Sequence, residues 1–190
     1  MFGRIVTKLV ESEAISAEDK EVYEYGLRRV ASTFITIATT LVIGFIFGMI
    51  LESVIFMAAY VPLRSYAGGY HARTPLRCYV FSVILTVLVL LSIKYIPYDI
   101  ILIGALTLVA GIIVFIFAPV ADANKPLDQV ETRVFKKCTR IILFMQIVFG
   151  GLFWILGFTW IFICIIVSIA VVGVMVIIGV VNNIFKNCII

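Results

Sequence analysis

The chain has 190 residues, of which 63% are hydrophobic and 14% charged, and its mean hydropathy is +1.19. Soluble domains are roughly 45–50% apolar and about 25% charged. The composition therefore excludes a soluble enzyme and indicates an all-α integral membrane protein. No repeat and no change of composition divides the chain, so we expect a single membrane domain over residues 1–190.

The first 29 residues precede the apolar part of the chain and lack the apolar core of a signal peptide. Their apolar residues recur at helical spacing, which predicts an amphipathic segment lying at the membrane interface: Phe2, Ile5, Val6 and Leu9. Ser16 and Asp19 resemble a capping box, so we expect a helix from there into the first span. A docking surface for a peptide partner is the alternative use of this segment.

Six apolar stretches follow, and a helix needs about 20 such residues to cross the bilayer core. The second stretch is short and begins at Glu52, and the last two are predicted to be separated by a tight turn near Gly157. The predicted spans are approximately 30–50, 52–66, 79–96, 100–118, 140–156 and 158–181.

Charge placement predicts the orientation. With six spans, 14 of the 15 lysines and arginines fall on one side, and only Lys94 falls on the other. The positive-inside rule then places both termini and the loops 64–78 and 119–140 in the cytoplasm. Cysteines there stay reduced. Because the chain has one histidine and no Cys-x-x-Cys spacing, we expect no metal and no cofactor.

The first long loop carries the residues most suited to catalysis. Cys78 follows Thr74-Pro75, a pair typical of a helix start, and the positive potential at a helix N-terminus stabilises a thiolate. His71 is a candidate general base. Residues seven apart on a straight helix are about 10 Å apart in rise, so the pair requires the chain to bend between Gly68-Gly69 and Pro75.

The sequence alone does not decide which groups support this chemistry. Candidate oxyanion donors are the backbone N–H at Cys78 and the side chains of Arg73 and Arg77, although both arginines also fit simple positive-inside anchoring. The other loop supplies groups able to orient His71, namely Asp122, Asn124, Asp128 and Glu131. Its five basic residues fit anionic lipid or an acidic peptide tail.

The segment from Arg64 to Ala72, reading Arg-Ser-Tyr-Ala-Gly-Gly-Tyr-His-Ala and followed by Cys78, resembles the signature of the AgrB (accessory gene regulator protein B) family. Residues 118–127, which contain Asn124-Lys125-Pro126, resemble its second motif. One departure is visible, because Asp122-Ala123 stands where the family often has His-Pro.

The resemblance implies a cysteine endopeptidase of the bacterial cell membrane, with six spans and the catalytic loop in the cytoplasm. Its catalytic pair would be His71 and Cys78, while Arg64, Gly68 and Gly69 are motif positions. The implied reaction cleaves a small precursor peptide with a charged C-terminal tail through a Cys78 thioester. An internal thiol or hydroxyl then closes a cyclic quorum-sensing autoinducer. The resemblance also leads us to expect a homodimer, and we expect no nucleic-acid partner.

Two alternatives belong to other functional classes. A peptide transporter or export component would ordinarily show buried charges or broken helices at mid-membrane, and the predicted spans contain almost none. A non-catalytic membrane scaffold would need neither His71 nor Cys78.

Overall fold

The computed structural model describes residues 2–12, 15–16, 18–69, 74–95, 99–121 and 128–188. Over these residues the chain forms seven α-helices: α1 (Phe2–Glu11), α2 (Lys20–Phe47), α3 (Ile50–Ala67), α4 (Pro75–Tyr95), α5 (Ile100–Phe117), α6 (Gln129–Ile155) and α7 (Thr159–Cys188). The predicted all-α class is therefore confirmed.

Four helices within the described residues are long and apolar enough to cross a membrane, namely α2 from Val30, α4 from Leu76, α6, and α7 as far as Phe185. The predicted count of six is not confirmed. The apolar part of α5, Leu102–Phe117, is shorter than these four. In α3, Glu52 and Arg64 stand near opposite ends of an 18-residue helix, which also contains Pro62.

Several helices extend beyond the predicted spans, because apolar runs mark only the lipid-facing part of a helix. α2 begins at Lys20, ten residues before the apolar stretch, and α7 continues to Cys188. α6 begins at Gln129, so much of the predicted loop 119–140 is helix. The cause is local: Asp128 and Glu131 form a capping box that starts α6.

The turns between helices agree more closely with the predictions made from the sequence. α6 and α7 are separated near Gly157, which has a φ of 84°, as the unbroken apolar stretch predicted. The expected helix that continues from the N-terminal segment into the first span is α2. Its N-cap is Asp19 rather than Ser16, although the Asp19 N–H donates to Ser16 Oγ at 3.3 Å.

The helices pack around α7, which contacts α3, α4, α5 and α6. The buried core is aliphatic and comes from four helices and the segment after α5: Leu63, Ala67, Ala110, Val114, Ala118, Val120, Leu143, Ile165, Ile169, Val172 and Val176. α2 packs against α3 and α4, and α1 packs against α2. The chain thus has an α3–α5–α6–α7 core with α2 and α4 to one side.

Candidate active site

The N-terminus of α4 positions Cys78. Thr74 Oγ1 accepts a hydrogen bond from the Arg77 N–H at 3.4 Å, and Pro75 is the first helical residue, as the Thr-Pro pair predicted. The Cys78 N–H donates to the Thr74 carbonyl at 3.1 Å. Cys78 is thereby fixed in the first turn of α4, and the N–H that sequence reasoning offered to an oxyanion is used by the helix.

The side chain of Cys78 is a half-buried free thiol that faces a small cavity between α2, α3 and α4. The cavity has a volume of about 170 Å³. Much of its lining is polar, which is unusual inside so apolar a bundle: Ser32, Thr33, Thr36, Ile37, Phe56, Met57, Tyr60, Val61, Arg64, Ser65, Cys78, Ser82, Leu85 and Thr86.

α3 brings two hydrogen-bond donors to this cavity, Tyr60 and Arg64. The Tyr60 ring stacks on Phe56 with centroids 5.2 Å apart, so its orientation is fixed. Tyr60 and Arg64 line the same cavity as Cys78, and the Arg64 side chain lies near enough to the Tyr60 hydroxyl to interact with it. Tyr60, Arg64 and Cys78 therefore form one local group.

Hydrogen bonds between α2 and α4 hold the wall of the cavity in register. The Thr39 and Tyr79 hydroxyls are 2.8 Å apart, and those of Thr40 and Thr86 are 3.5 Å apart. Tyr79 is the residue after Cys78, so the first of these bonds restrains the turn of α4 that carries the thiol.

The two glycines of the first motif make close backbone contacts. Gly68 and Gly69 have φ values of 68° and 106°, a region that residues with a side chain rarely adopt. A Cβ at Gly68 would overlap the Val120 carbonyl, and one at Gly69 would overlap the backbone of Met175 in α7. These positions therefore serve packing of the main chain.

Gly68 also joins the two sequence motifs. It pairs with Val120 in a parallel bridge, in which the Gly69 N–H donates to the Val120 carbonyl and the Val120 N–H donates to the Ala67 carbonyl. Arg64 donates to the Gly68 carbonyl, and Asn183 Nδ2 of α7 donates to Ala121 O at 2.7 Å. The start of the second motif is thus anchored beside the first.

The structure shows the required helix break but not the catalytic pair. α3 ends at Ala67 and Thr74 lies outside α4, which begins at Pro75, so no continuous helix joins α3 to Cys78. His71, Arg73, Asn124, Lys125 and Pro126 lie outside the described residues, as do Asp122 and the remainder of 122–127. Their predicted roles stay predictions.

The other proposed supporting groups are placed elsewhere. Arg77 is exposed and does not line the cavity. Asp128 accepts from the Gln129 N–H at 2.6 Å, and Glu131 accepts from the Asp128 N–H at 3.3 Å, so both carboxylates cap α6. Tyr60 was missed, because a tyrosine within an apolar stretch carries no signal that distinguishes a site from a core.

Comparisons with known proteins cover most of the chain. The family model for accessory gene regulator B matches residues 3–189. A putative AgrB-like protein of Clostridium perfringens strain SM101 is 30% identical over 171 residues, covering 83% of this chain and 80% of that protein. The putative AgrB-like protein 2 of C. perfringens strain 13 is 30% identical, covering 77% and 74%.

The staphylococcal relative is more distant. Accessory gene regulator protein B of Staphylococcus aureus strain RF122 is 25% identical over 122 residues, covering 64% of this chain and 65% of that protein. No solved structure matches the chain significantly. A family model that extends over nearly every residue, together with these relatives, shows that the chain belongs to the accessory gene regulator B family.

Proposed function

We propose that this chain is a multi-pass membrane cysteine endopeptidase that cleaves a small precursor peptide and helps to cyclise the product into a quorum-sensing autoinducer. Family membership supports the role in autoinducer processing. The observation that carries the cysteine mechanism is the free thiol of Cys78 at a capped helix N-terminus, facing a polar cavity.

The first step is attack by the Cys78 sulfur on a backbone carbonyl carbon of the precursor. The thiol proton passes to His71, and the carbonyl oxygen becomes an oxyanion. When the C–N bond breaks, His71 returns the proton to the amine of the departing tail. The body of the precursor remains on Cys78 as a thioester.

The second step conserves the acyl bond. An internal thiol or hydroxyl of the precursor attacks the thioester carbonyl, its proton goes to His71, and Cys78 leaves as thiolate and is reprotonated. Because water would hydrolyse the acyl-enzyme, the reaction benefits from a site with restricted access. The half-buried thiol and the cavity of about 170 Å³ suit that requirement.

Tyr60 and Arg64 are proposed as oxyanion donors in place of the Cys78 N–H. The Tyr60 phenol has a hydrogen to donate, and the Arg64 guanidinium carries five N–H groups, of which the bond to the Gly68 carbonyl uses one. Both side chains line the cavity that contains the thiol. A donor placed on a developing oxyanion is worth about 10²–10³ in kcat.

The orientation in the membrane is part of the same proposal, with both termini and the catalytic loop in the cytoplasm. It is supported by the distribution of lysine and arginine, since only Lys94 falls on the far side of the six-span arrangement. The precursor, made on ribosomes, would then meet Cys78 directly.

The test is co-expression with the short peptide encoded beside the gene, followed by mass spectrometry of the peptide. Cys78→Ala and His71→Ala are each expected to reduce cleavage to background. The first variant cannot form the thioester, and the second cannot transfer the proton. Cys138→Ala is the matched control, since Cys138 is also a half-buried free thiol. Cleavage that survives in Cys78→Ala would overturn the mechanism.

The same cells test the orientation. A membrane-impermeant maleimide added to intact cells is expected to spare Cys78, and a permeant maleimide to reach it. Labelling by the impermeant reagent that peptide mass spectrometry assigns to Cys78 would place this thiol on the outer side and contradict the proposed topology.

A further inference from the structure

An open groove runs between α5 and α6, with α7 as its floor, and shares no lining residue with the Cys78 cavity. Its volume is about 680 Å³. Glycines of both facing helices line it, including Gly104, Gly111 and Gly151. A Cβ at any of these three would meet no atom within 4 Å, so α5 and α6 stand apart here.

The walls of the groove are mostly aliphatic and aromatic, with Thr107 and Gln146 as the polar exceptions. α5 contributes Leu108 and Ile112, α6 contributes Leu143 and Ile147, and α7 contributes Ile169. An apolar channel of this kind in a membrane-embedded bundle fits a hydrocarbon chain, because it offers dispersion contacts on several sides.

A cationic side chain lies at one end of the groove. Phe115 lines the groove, and the guanidinium carbon of Arg140 lies 4.2 Å from the centroid of the Phe115 ring. Arg140 is otherwise exposed. The cation–π contact therefore holds a positive charge at the mouth of an apolar channel.

The cation belongs to a continuous stripe on α6. Arg133, Lys136, Lys137 and Arg140 are all exposed and are spaced so that they share a helix face. The same face continues one turn later into Leu143, which lines the groove. The basic residues and the residues that line the groove are therefore consecutive along one face of α6.

We propose that this groove binds an anionic phospholipid, with an acyl chain between α5 and α6 and the phosphate beside Arg140. The occupant is inferred from charge complementarity: Arg140 at the mouth, with three more exposed cations along the same face of α6, matches an anionic headgroup, and the apolar walls match the chain. The acyl chain of a zwitterionic lipid would pack against the walls equally well. Its headgroup would be attracted less strongly to the basic residues, because its own ammonium group is repelled by them.

The test is native mass spectrometry of the purified full-length chain with equal amounts of phosphatidylglycerol and phosphatidylcholine of the same acyl composition. Phosphatidylglycerol is expected to be retained several-fold better. Arg140→Gln is expected to reduce that preference about fivefold, the effect of removing one basic residue near the headgroup. Equal retention of the two lipids by the unmodified protein would overturn the proposal.

Lys94→Gln is the matched control for charge, because Lys94 also lies over an aromatic ring, 5.7 Å from the centroid of Tyr95, but is remote from the groove. It is expected to leave the preference unchanged. If Lys94→Gln lowers the preference as much as Arg140→Gln, the effect is one of net charge and the proposed site is wrong.

Gly151→Leu tests the groove itself, because the added side chain enters open space and fills the channel. It is expected to reduce retention of both lipids, whereas Gly26→Leu, which also adds a side chain in open space on α2, is not. Unchanged lipid retention in Gly151→Leu, with conversion of a dimer to a monomer, would show that a second copy occupies the groove instead. None of these variants alters residues of the Cys78 cavity, so the result does not depend on the proposed peptidase activity.

Discussion

Two of the spaces within the described part of the bundle have opposite character. The Cys78 cavity between α2, α3 and α4 is small, about 170 Å³, and has hydroxyls, a guanidinium and a thiol in its lining. The groove between α5 and α6 is about 680 Å³ and almost wholly apolar. In a chain that is 63% hydrophobic, apolar space needs no special explanation, whereas polar groups collected around one small cavity do.

The energetic reason for this contrast is the cost of burying polar groups. A buried hydroxyl without a partner costs about 1–3 kcal/mol, so such groups persist where they find partners or serve chemistry. Several hydroxyls that line the Cys78 cavity find partners; Ser82 Oγ, for example, donates to the Cys78 carbonyl at 3.0 Å. The groove carries little of that cost, because most of its lining is apolar; Thr107 and Gln146 are its polar residues, and Gln146 Nε2 donates to Ala59 O at 2.6 Å.

The contrast predicts that removing one polar atom near Cys78 has a large effect. Tyr60→Phe is expected to lower the rate of precursor cleavage about 100-fold, because it deletes the proposed oxyanion donor while keeping the ring that stacks on Phe56. Single-turnover cleavage with purified protein measures this.

Tyr66→Phe serves as the control, since Tyr66 packs edge-on against Phe135 at 5.5 Å and does not line the cavity. A Tyr60→Phe enzyme as fast as the unmodified one would remove Tyr60 from the mechanism and leave Arg64 as the donor to test.

The next largest effect is expected where the motifs meet. Gly68→Ala should destabilise the protein by about 2 kcal/mol, because the residue has a φ of 68° and the new methyl would overlap the Val120 carbonyl. Thermal unfolding in detergent measures the loss.

Gly104→Ala, in the apolar groove, adds the same methyl to open space and should leave the melting temperature unchanged or raise it. If the two variants are equally stable, the Gly68–Val120 bridge does not contribute to stability, and Gly68 and Gly104 do not differ in their tolerance of an added methyl group.

The smallest effect concerns the cap of α4. Thr74→Ala should destabilise the protein by about 1 kcal/mol, because Thr74 Oγ1 accepts from the Arg77 N–H. Thr107→Ala is a suitable control, since Thr107 Oγ1 bonds only to a carbonyl of its own helix, that of Ile103, at 2.8 Å.

The Thr74→Ala variant also connects stability with chemistry. A frayed first turn of α4 would release Cys78 from its position, so cleavage should fall by more than the loss of folded protein explains. Cleavage that falls only in proportion to the folded fraction would limit Thr74 to a structural role.

The sequence predicted best what depends on short-range chemistry. The Thr-Pro start of α4 and the turn at Gly157 were read correctly, because helix starts and turns are encoded by a few adjacent residues. The full lengths of the helices do not follow from the apolar runs, because hydropathy reports contact with lipid and not the end of the hydrogen-bonded helix. α6 extends eleven residues before its predicted span for that reason.

What the sequence by itself determined is the class of the protein, its membrane character and the candidate nucleophile, since these follow from composition, local signals and motif resemblance. Only the tertiary structure decided that Tyr60 and Arg64 of α3 share a cavity with Cys78 of α4, and that Gly68 joins the second motif through Val120. The physical reason is that these contacts join residues from different elements. Their formation depends on how α3, α4 and α7 pack, and no local pattern in the chain encodes that arrangement.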